Sequence, residues 1–188
     1  DLHQVLHDRL AGCGIMLDMG CGGGELLVCM ADIAGQVIGV DSSPRMIEQA
    51  RKRLANKVEN VSLRIGELEH LPVRDGEADC GVISMVLHHL PDPAQAIAEA
   101  CRAIAPGGRL LVAELDKHND ESMRNSHRDR WLGFSPQQLE DWLRDAGFHP
   151  QDCTRQSVNR GLAVLLLEAH KPQQDMTRST AHERRETA

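Results

Sequence analysis

Residues 16–27 read MLDMGCGGGELL: an apolar run holding one acid, then glycine at 20, 22, 23 and 24, then Glu25 at the head of a second apolar run. Glycine weakens helices and strands alike. Its accumulation where a strand passes into a helix therefore points to backbone lying against a ligand. Ile15–Met19 fits a short buried strand and Glu25–Ala31 the helix that follows.

Outward from this loop, strand and helix patterns alternate. Gln36–Asp41 (QVIGVD) reads as a buried strand ending in an acid. Ser43-Pro44 then supplies an N-cap with proline at the first helical position, followed by Met46, Ile47, Ala50 and Leu54 at helical spacing. Val61–Ile65 is a third strand and Cys80–Met85 a fourth. Asp92-Pro93 with Gln95 starts a helix that Pro106-Gly107-Gly108 stops, and Arg109–Leu115 is the fifth strand. A polar stretch, 116–130, is expected to be helical in part. Ser135, Pro136 and Gln138 open a further helix that Gly147 closes, with Phe134 stapled to Leu139. Phe148–Gln156 and Leu162–His170 read as strands joined by a hairpin at Asn159-Arg160-Gly161. Such a succession implies a doubly wound α/β domain over 1–171, its ligand beyond the carboxyl ends of the central strands. Residues 172–188 lack any apolar period and are expected to be a disordered tail.

The chain has 188 residues, 41% hydrophobic and 26% charged, with a formal net charge of −7. That acidity disfavours a nucleic acid partner, since phosphate backbones select clustered Lys and Arg. No apolar run is long enough to span a bilayer and no signal peptide is visible. The six cysteines contain no C-x-x-C pair and several sit in apolar runs. Reduced thiols are therefore expected, with neither a disulfide framework nor a zinc site, and a reducing, cytoplasmic location fits them.

The glycine loop excludes two ligands. A dinucleotide fingerprint G-x-G-x-x-G counted from Gly20 would need glycine where Glu25 stands, and that carboxylate would repel a pyrophosphate. A phosphate loop is excluded because no G-K-[ST] follows. What remains, Asp18-x-Gly20-x-Gly22-x-Gly24, resembles motif I of the class I S-adenosylmethionine (SAM) methyltransferases. GELEHLPVRDGEADCGVISMVLHHLPDP (66–93) is similar to the family pattern G-D-A-x-x-L-P-F…F-D-x-V…L-H-H-L, and ACRAIAPGGRLLVAEL (100–115) to R-x-L-x-P-G-G-x-L. The resemblance runs from Ile15 to Leu115 in four ordered blocks.

The resemblance implies a Rossmann-like, mostly parallel seven-stranded sheet with an antiparallel C-terminal hairpin strand. It also implies a cofactor, S-adenosyl-L-methionine, released as S-adenosyl-L-homocysteine. Asp18 would anchor the amino group, with Gly20, Cys21 and Gly22 along the methionine. Asp41 would accept from the ribose hydroxyls, near Ser42 and Met46. Gly66, Glu67 and Leu68 would meet the adenine, with Glu69 a nearby alternative to Glu67, and Met85 would also belong to the cofactor site.

The acceptor is less defined. The segment Ser84–His89 carries no [DNS]-P-P-[YFW], the whole chain has no Tyr and two Phe, and base stacking is poorly supplied. A small-molecule acceptor is expected. His88 and His89 fall where methyl transfer takes place, either as a base or acceptor-positioning group or as residues that shape the loop and cap a helix. Metal ligation by this adjacent pair is not expected, on the reasoning that neighbouring side chains diverge. His118 and His127, nine positions apart, would face opposite sides of a straight helix and could not share a metal. Arg124, Arg128 and Trp131 would share one face of it. Arsenite methylation would need several accessible thiolates and is disfavoured. The 116–134 block also resembles methyltransferase domains attached to arsenical-repressor-like winged-helix regulators. With the first residue Asp1, an N-terminal DNA-binding domain upstream and a SAM-sensing role without turnover form the alternative, and a homodimer is compatible with either.

Overall fold

The computed structural model describes residues 2–55, 57–126, 129–158 and 161–173. An eight-stranded sheet forms the middle layer. Its strands are β1 (Ile15–Met19), β2 (Gln36–Asp41), β3 (Val61–Ile65), β4 (Ala78–Ser84), β5 (Ile104–Leu115), β6 (His149–Pro150), β7 (Thr154–Ser157) and β8 (Ala163–His170). The order is β3-β2-β1-β4-β5-β8-β6, with β7 also paired to β8. The first five strands run parallel, and β8 lies antiparallel to β5, β6 and β7. The expected count of seven becomes eight because 148–156 is not one strand. From Pro150 to Thr154 is four steps, whereas their partners Ala169 and Leu166 are three apart. The extra residue forms a bulge that divides the strand.

Helices cover both faces. On one side α1 (Leu2–Leu10), α2 (Glu25–Ala31) and α3 (Pro44–Leu54) bury Leu6, Leu10, Leu27, Met30, Ile47 and Leu54 against the sheet. On the other, α4 (Pro93–Ala103) and α6 (Pro136–Ala146) bury Ile97, Ala100, Leu139 and Leu143. A short α5 (Ser122–Ser126) lies between them in sequence. Local chemistry sets the helix starts. The side chains of Ser43, Asp92 and Ser135 accept the N–H of Met46, Gln95 and Gln138, each followed by proline. Phe134 and Leu139 are both fully buried in one cluster, as the staple requires.

Three features depart from expectation. Helix α1 carries no strong sequence signal. Strand β5 begins at Ile104 rather than Arg109, because Ala78 pairs with Ile104 and Cys80 with Arg109, so Ala105–Gly108 bulge out opposite Asp79. Third, Cys13 and Cys80 form a disulfide with Cα atoms 6.1 Å apart, leaving Cys21, Cys29, Cys101 and Cys153 free among the described residues. Met16 pairs with Cys80 across β1 and β4, which brings Cys13 alongside. The expectation of wholly reduced cysteines fails here, and with it the cysteine argument for a cytosolic location. No helix of the described residues is long and apolar enough to cross a membrane. The turn at Asn159-Arg160, and all but the first residues of the tail, lie outside the described residues.

Candidate active site

The carboxyl ends of β1 and β4 and the start of α2 converge on one cavity of about 230 Å³, lined by Asp18, Gly20, Cys21, Gly22, Gly23, Glu25, Leu26, Ser84 and Met85, with Asp41 outside the lining. A larger concavity of about 390 Å³ lies at the opposite ends of the strands, beside the disulfide. Parallel sheets of this winding bind ligands at their carboxyl ends, so the smaller cavity is the candidate.

Its floor is the glycine loop. The N–H groups of Gly20 and Cys21 both donate to the Val40 carbonyl, at 2.8 and 2.9 Å, which holds the loop over β2. Gly20 has φ +84, and a Cβ there would sit 2.7 Å from Val86. Gly22 has φ +51 and nothing within 4 Å of where its Cβ would be. Gly20 is thus required by packing, whereas Gly22 leaves an open face of bare backbone.

Two carboxylates serve the loop differently. Asp41 accepts the Gly22 N–H at 2.9 Å with Oδ2 and the Ser43 N–H at 2.8 Å with Oδ1, tying the loop to the start of α3. Each oxygen retains capacity to accept again. Asp18 is 2% exposed and its Oδ2 has no hydrogen-bond partner among the described residues. Burial, aided by the negative charge of Asp41, pushes the Asp18 carboxyl up to about 7. Burial and the same two acids also raise the Cys21 thiol, which stays neutral.

The remaining expected positions surround the loop. The Gly66 N–H donates to the Asp41 carbonyl at 3.2 Å, drawing the end of β3 against the end of β2. Ser42 and Glu67 are exposed and Met46 is half-buried, none of them lining the cavity. Leu68 buries its side chain in the core, so only its backbone faces outward chemistry. Met85 follows β4 with φ +55, the one non-glycine residue in the left-handed region among those described. Strain of this kind concentrates at functional sites.

Beyond Met85, residues 87–89 form a single 3-10 turn. His88 is buried, its Nδ1 2.6 Å from Glu114 Oε1, and Glu114 is fully buried within β5. Burial works to lower the His88 pKa, but the Glu114 hydrogen bond and the charges of Glu114 and Asp129 outweigh it, and the net shift is upward. Asp129 is also buried, 3.8 Å from His88 Nε2 and 3.5 Å from His89 Nδ1. The N–H groups of Arg130 and Trp131 converge on the His88 carbonyl at 2.9 and 3.1 Å, and the Trp131 indole donates to the Leu90 carbonyl. These bonds hold Asp129 over the histidine turn.

Neither histidine caps α4; Asp92 does. The two rings do not diverge as expected but lie 4.0 Å apart between centroids, tilted by 56°. Trp131 lies beyond α5, which ends at Ser126, so it shares no helical face with Arg124. His127 and Arg128 lie outside the described residues. Glu114 and Asp129 are absent from the sequence expectations. An acid inside the apolar run LLVAEL was the available signal for Glu114, and Asp129 had none.

A doubly wound sheet with a glycine loop after β1, an acid ending β2 and a strained turn after β4 defines the class I, SAM-dependent methyltransferase architecture. Comparison with known proteins agrees: residues 17–112 match the family described as a methyltransferase domain, and the chain belongs to that family. It is 48% identical over 103 residues to the 37.1 kDa protein in transposon TN4556 of Streptomyces fradiae, covering 53% of this chain but 30% of that protein. It is 28% identical over 169 residues to the ubiquinone biosynthesis O-methyltransferase of Thiobacillus denitrificans, covering 82% of this chain and 72% of the relative. The chain thus spans less than a third of the Streptomyces protein's length. Among solved structures, the N-methyltransferase NodS of Bradyrhizobium japonicum, in complex with S-adenosyl-L-homocysteine, shares the fold with a TM-score of 0.74 at 19% identity, over 92% of this chain and 85% of that one.

Proposed function

We propose that the chain transfers a methyl group from SAM to a small-molecule acceptor by in-line displacement. The observation that carries this reading is the pairing of a buried, unpartnered Asp18 carboxylate with the open backbone of Gly22. A ligand bearing an amino group would satisfy the first while lying along the second, and SAM carries such a group. When bound, SAM supplies an activated methyl group on a sulfonium.

The residues then divide the work. Asp18 takes the cation and becomes a stable carboxylate in doing so. Asp41 has its orientation set by the Gly22 and Ser43 N–H groups, leaving acceptor capacity for two ribose hydroxyls. Ser42, Met46, Gly66, Glu67 and the Leu68 backbone would form the open rim for the adenosine end. Cys21 and Met85 exclude water beside the methionine end, where alignment at about 3 Å does most of the catalytic work. His88, held by Glu114 through Nδ1, and His89 beside it would position the acceptor at the turn after β4.

Calorimetry with SAM and with S-adenosyl-L-homocysteine tests this. Saturable one-to-one binding of either is expected, and absence of both overturns the reading. No observation in the fold favours a SAM-sensing regulator, and that alternative is not carried further.

A further inference from the structure

We propose that His88 Nε2, His89 Nδ1 and Asp129 form a binding site for one first-row divalent transition ion of the zinc type, at the carboxyl end of β4. The three donor atoms lie within 4.8 Å of one another. His89 Nδ1 is 3.5 Å and His88 Nε2 3.8 Å from the same oxygen, Asp129 Oδ1. Bonds of about 2.1 Å to a tetrahedral ion separate neighbouring ligand atoms by about 3.4 Å, so a small contraction completes the polyhedron.

Burial supplies the second argument. Asp129 is 4% exposed, and neither of its oxygens has a hydrogen-bond partner among the described residues. An ionised carboxylate removed from water without a partner is costly unless a cation offsets it. Glu114, fully buried, adds a second negative charge on the other side of His88. The two imidazoles beside these carboxylates supply positive charge only by taking up protons, and a divalent ion is the alternative source of it.

The supporting shell is also in place. Glu114 Oε1, at 2.6 Å, holds the proton on His88 Nδ1 and leaves the Nε2 lone pair directed at Asp129. A carboxylate fixing the tautomer of a ligating histidine in this way is the usual companion of a metal site. Two imidazoles and one carboxylate suit zinc, iron(II) or manganese better than calcium or magnesium, and three protein ligands leave a coordination position open. His89, with its side chain 41% exposed, marks the entry path. Ser84 and Met85 of the glycine-loop cavity precede His88 by four and three residues. An acceptor oxygen would fill the open position, a step that rests on the methyltransferase reading, whereas ion binding does not.

The test is Co²⁺ titration of the chelator-treated full chain, followed by displacement with Zn²⁺. One equivalent should give visible d–d absorption without a thiolate charge-transfer band, and Zn²⁺ should abolish it. His89→Ala and Asp129→Asn should each weaken Co²⁺ binding at least tenfold, and Glu114→Gln by about tenfold. His89 is exposed, so its variant keeps the fold even where a buried substitution does not, and circular dichroism checks both. No saturable binding, a thiolate band, or unchanged affinity in His89→Ala overturns the site. SAM calorimetry on the same metal-free sample separates failure here from failure of the methyltransferase reading.

Discussion

The Asp41 carboxylate accepts the Gly22 N–H at 2.9 Å, so the acid that ends β2 also fixes the shape of the loop that follows β1. The second oxygen takes the Ser43 N–H. One side chain therefore holds two backbone segments and still offers lone pairs to a ligand. Asp41→Ala should weaken SAM binding by about 1.5–3 kcal/mol, the range for hydrogen bonds to a charged group, and should reduce stability as the loop loses its tie. Asp41→Asn keeps one acceptor and is expected to fall between. Titration calorimetry and thermal melts read both effects, and wild-type affinity in Asp41→Ala would make the acid purely structural.

What the sequence disclosed follows the range of the interactions concerned. The Ser43, Asp92 and Ser135 caps act over three residues, and all three helix starts were legible. The glycine loop and Asp41 were legible because the motif keeps residue types in a fixed order. Helix α1 was not, since its fully buried residues Leu6 and Leu10 give a single i, i+4 pair. The Glu114–His88–Asp129 cluster joins three elements through contacts that no spacing encodes. Expecting His88 and His89 to diverge rested on their adjacency alone, whereas in the 3-10 turn their ring centroids lie 4.0 Å apart.

Asp18 should couple cofactor binding to proton release. Its folded pKa of about 7 stands above the ordinary carboxyl value of 3.8. In the free protein the fold therefore favours the protonated acid. Stability from this residue is full below about pH 4, declines by about 1.4 kcal/mol per unit as pH rises towards 7, and is level above. Asp18→Asn lacks this decline, so its stability advantage over the parent should widen from pH 4 to 7. Binding runs the other way: an amino group selects the carboxylate, so SAM affinity should rise up to tenfold per unit between pH 6 and 7. Calorimetry in buffers of different ionisation enthalpy should show protons released near pH 6.5. A flat profile would remove Asp18 from the amino-group site.

The Arg64–Glu77 pair is a structural clamp outside the site. Two hydrogen bonds, at 2.7 and 3.1 Å, join β3 to the segment before β4. The Arg64 guanidinium holds the Glu77 carboxyl down at about 2. Its contribution is present above pH 4.5 and is lost as pH falls towards 2. Glu77→Gln should cost about 2 kcal/mol at pH 7, with a smaller difference from the parent at pH 2 to 3 in urea melts. SAM affinity should be unchanged.

The Cys13–Cys80 bond closes a loop with a sequence separation of 67. On the chain-entropy account, such a crosslink contributes about 4 kcal/mol by restricting the unfolded chain. Thiol titration of the denatured, unreduced protein should count four of the six cysteines. Cys80→Ser should lower the melting temperature without touching the glycine-loop cavity, which lies at the other end of the strands. Six reactive thiols would remove the crosslink.

Gly20 and Gly22 should separate stability from binding. Both have positive φ, +84 and +51, so alanine is strained at either position by about 1 kcal/mol. At Gly20 the new methyl also meets Val86 at 2.7 Å, adding overpacking of about 1–3 kcal/mol. At Gly22 it meets nothing within 4 Å, and the protein should lose little beyond the backbone strain. The methyl would stand instead on the face that the cofactor's methionine end is proposed to cover. Gly20→Ala should therefore melt lower than Gly22→Ala, while Gly22→Ala should lose at least tenfold in SAM affinity with its fold intact. If Gly22→Ala binds SAM as tightly as the parent, the cofactor does not lie on this backbone.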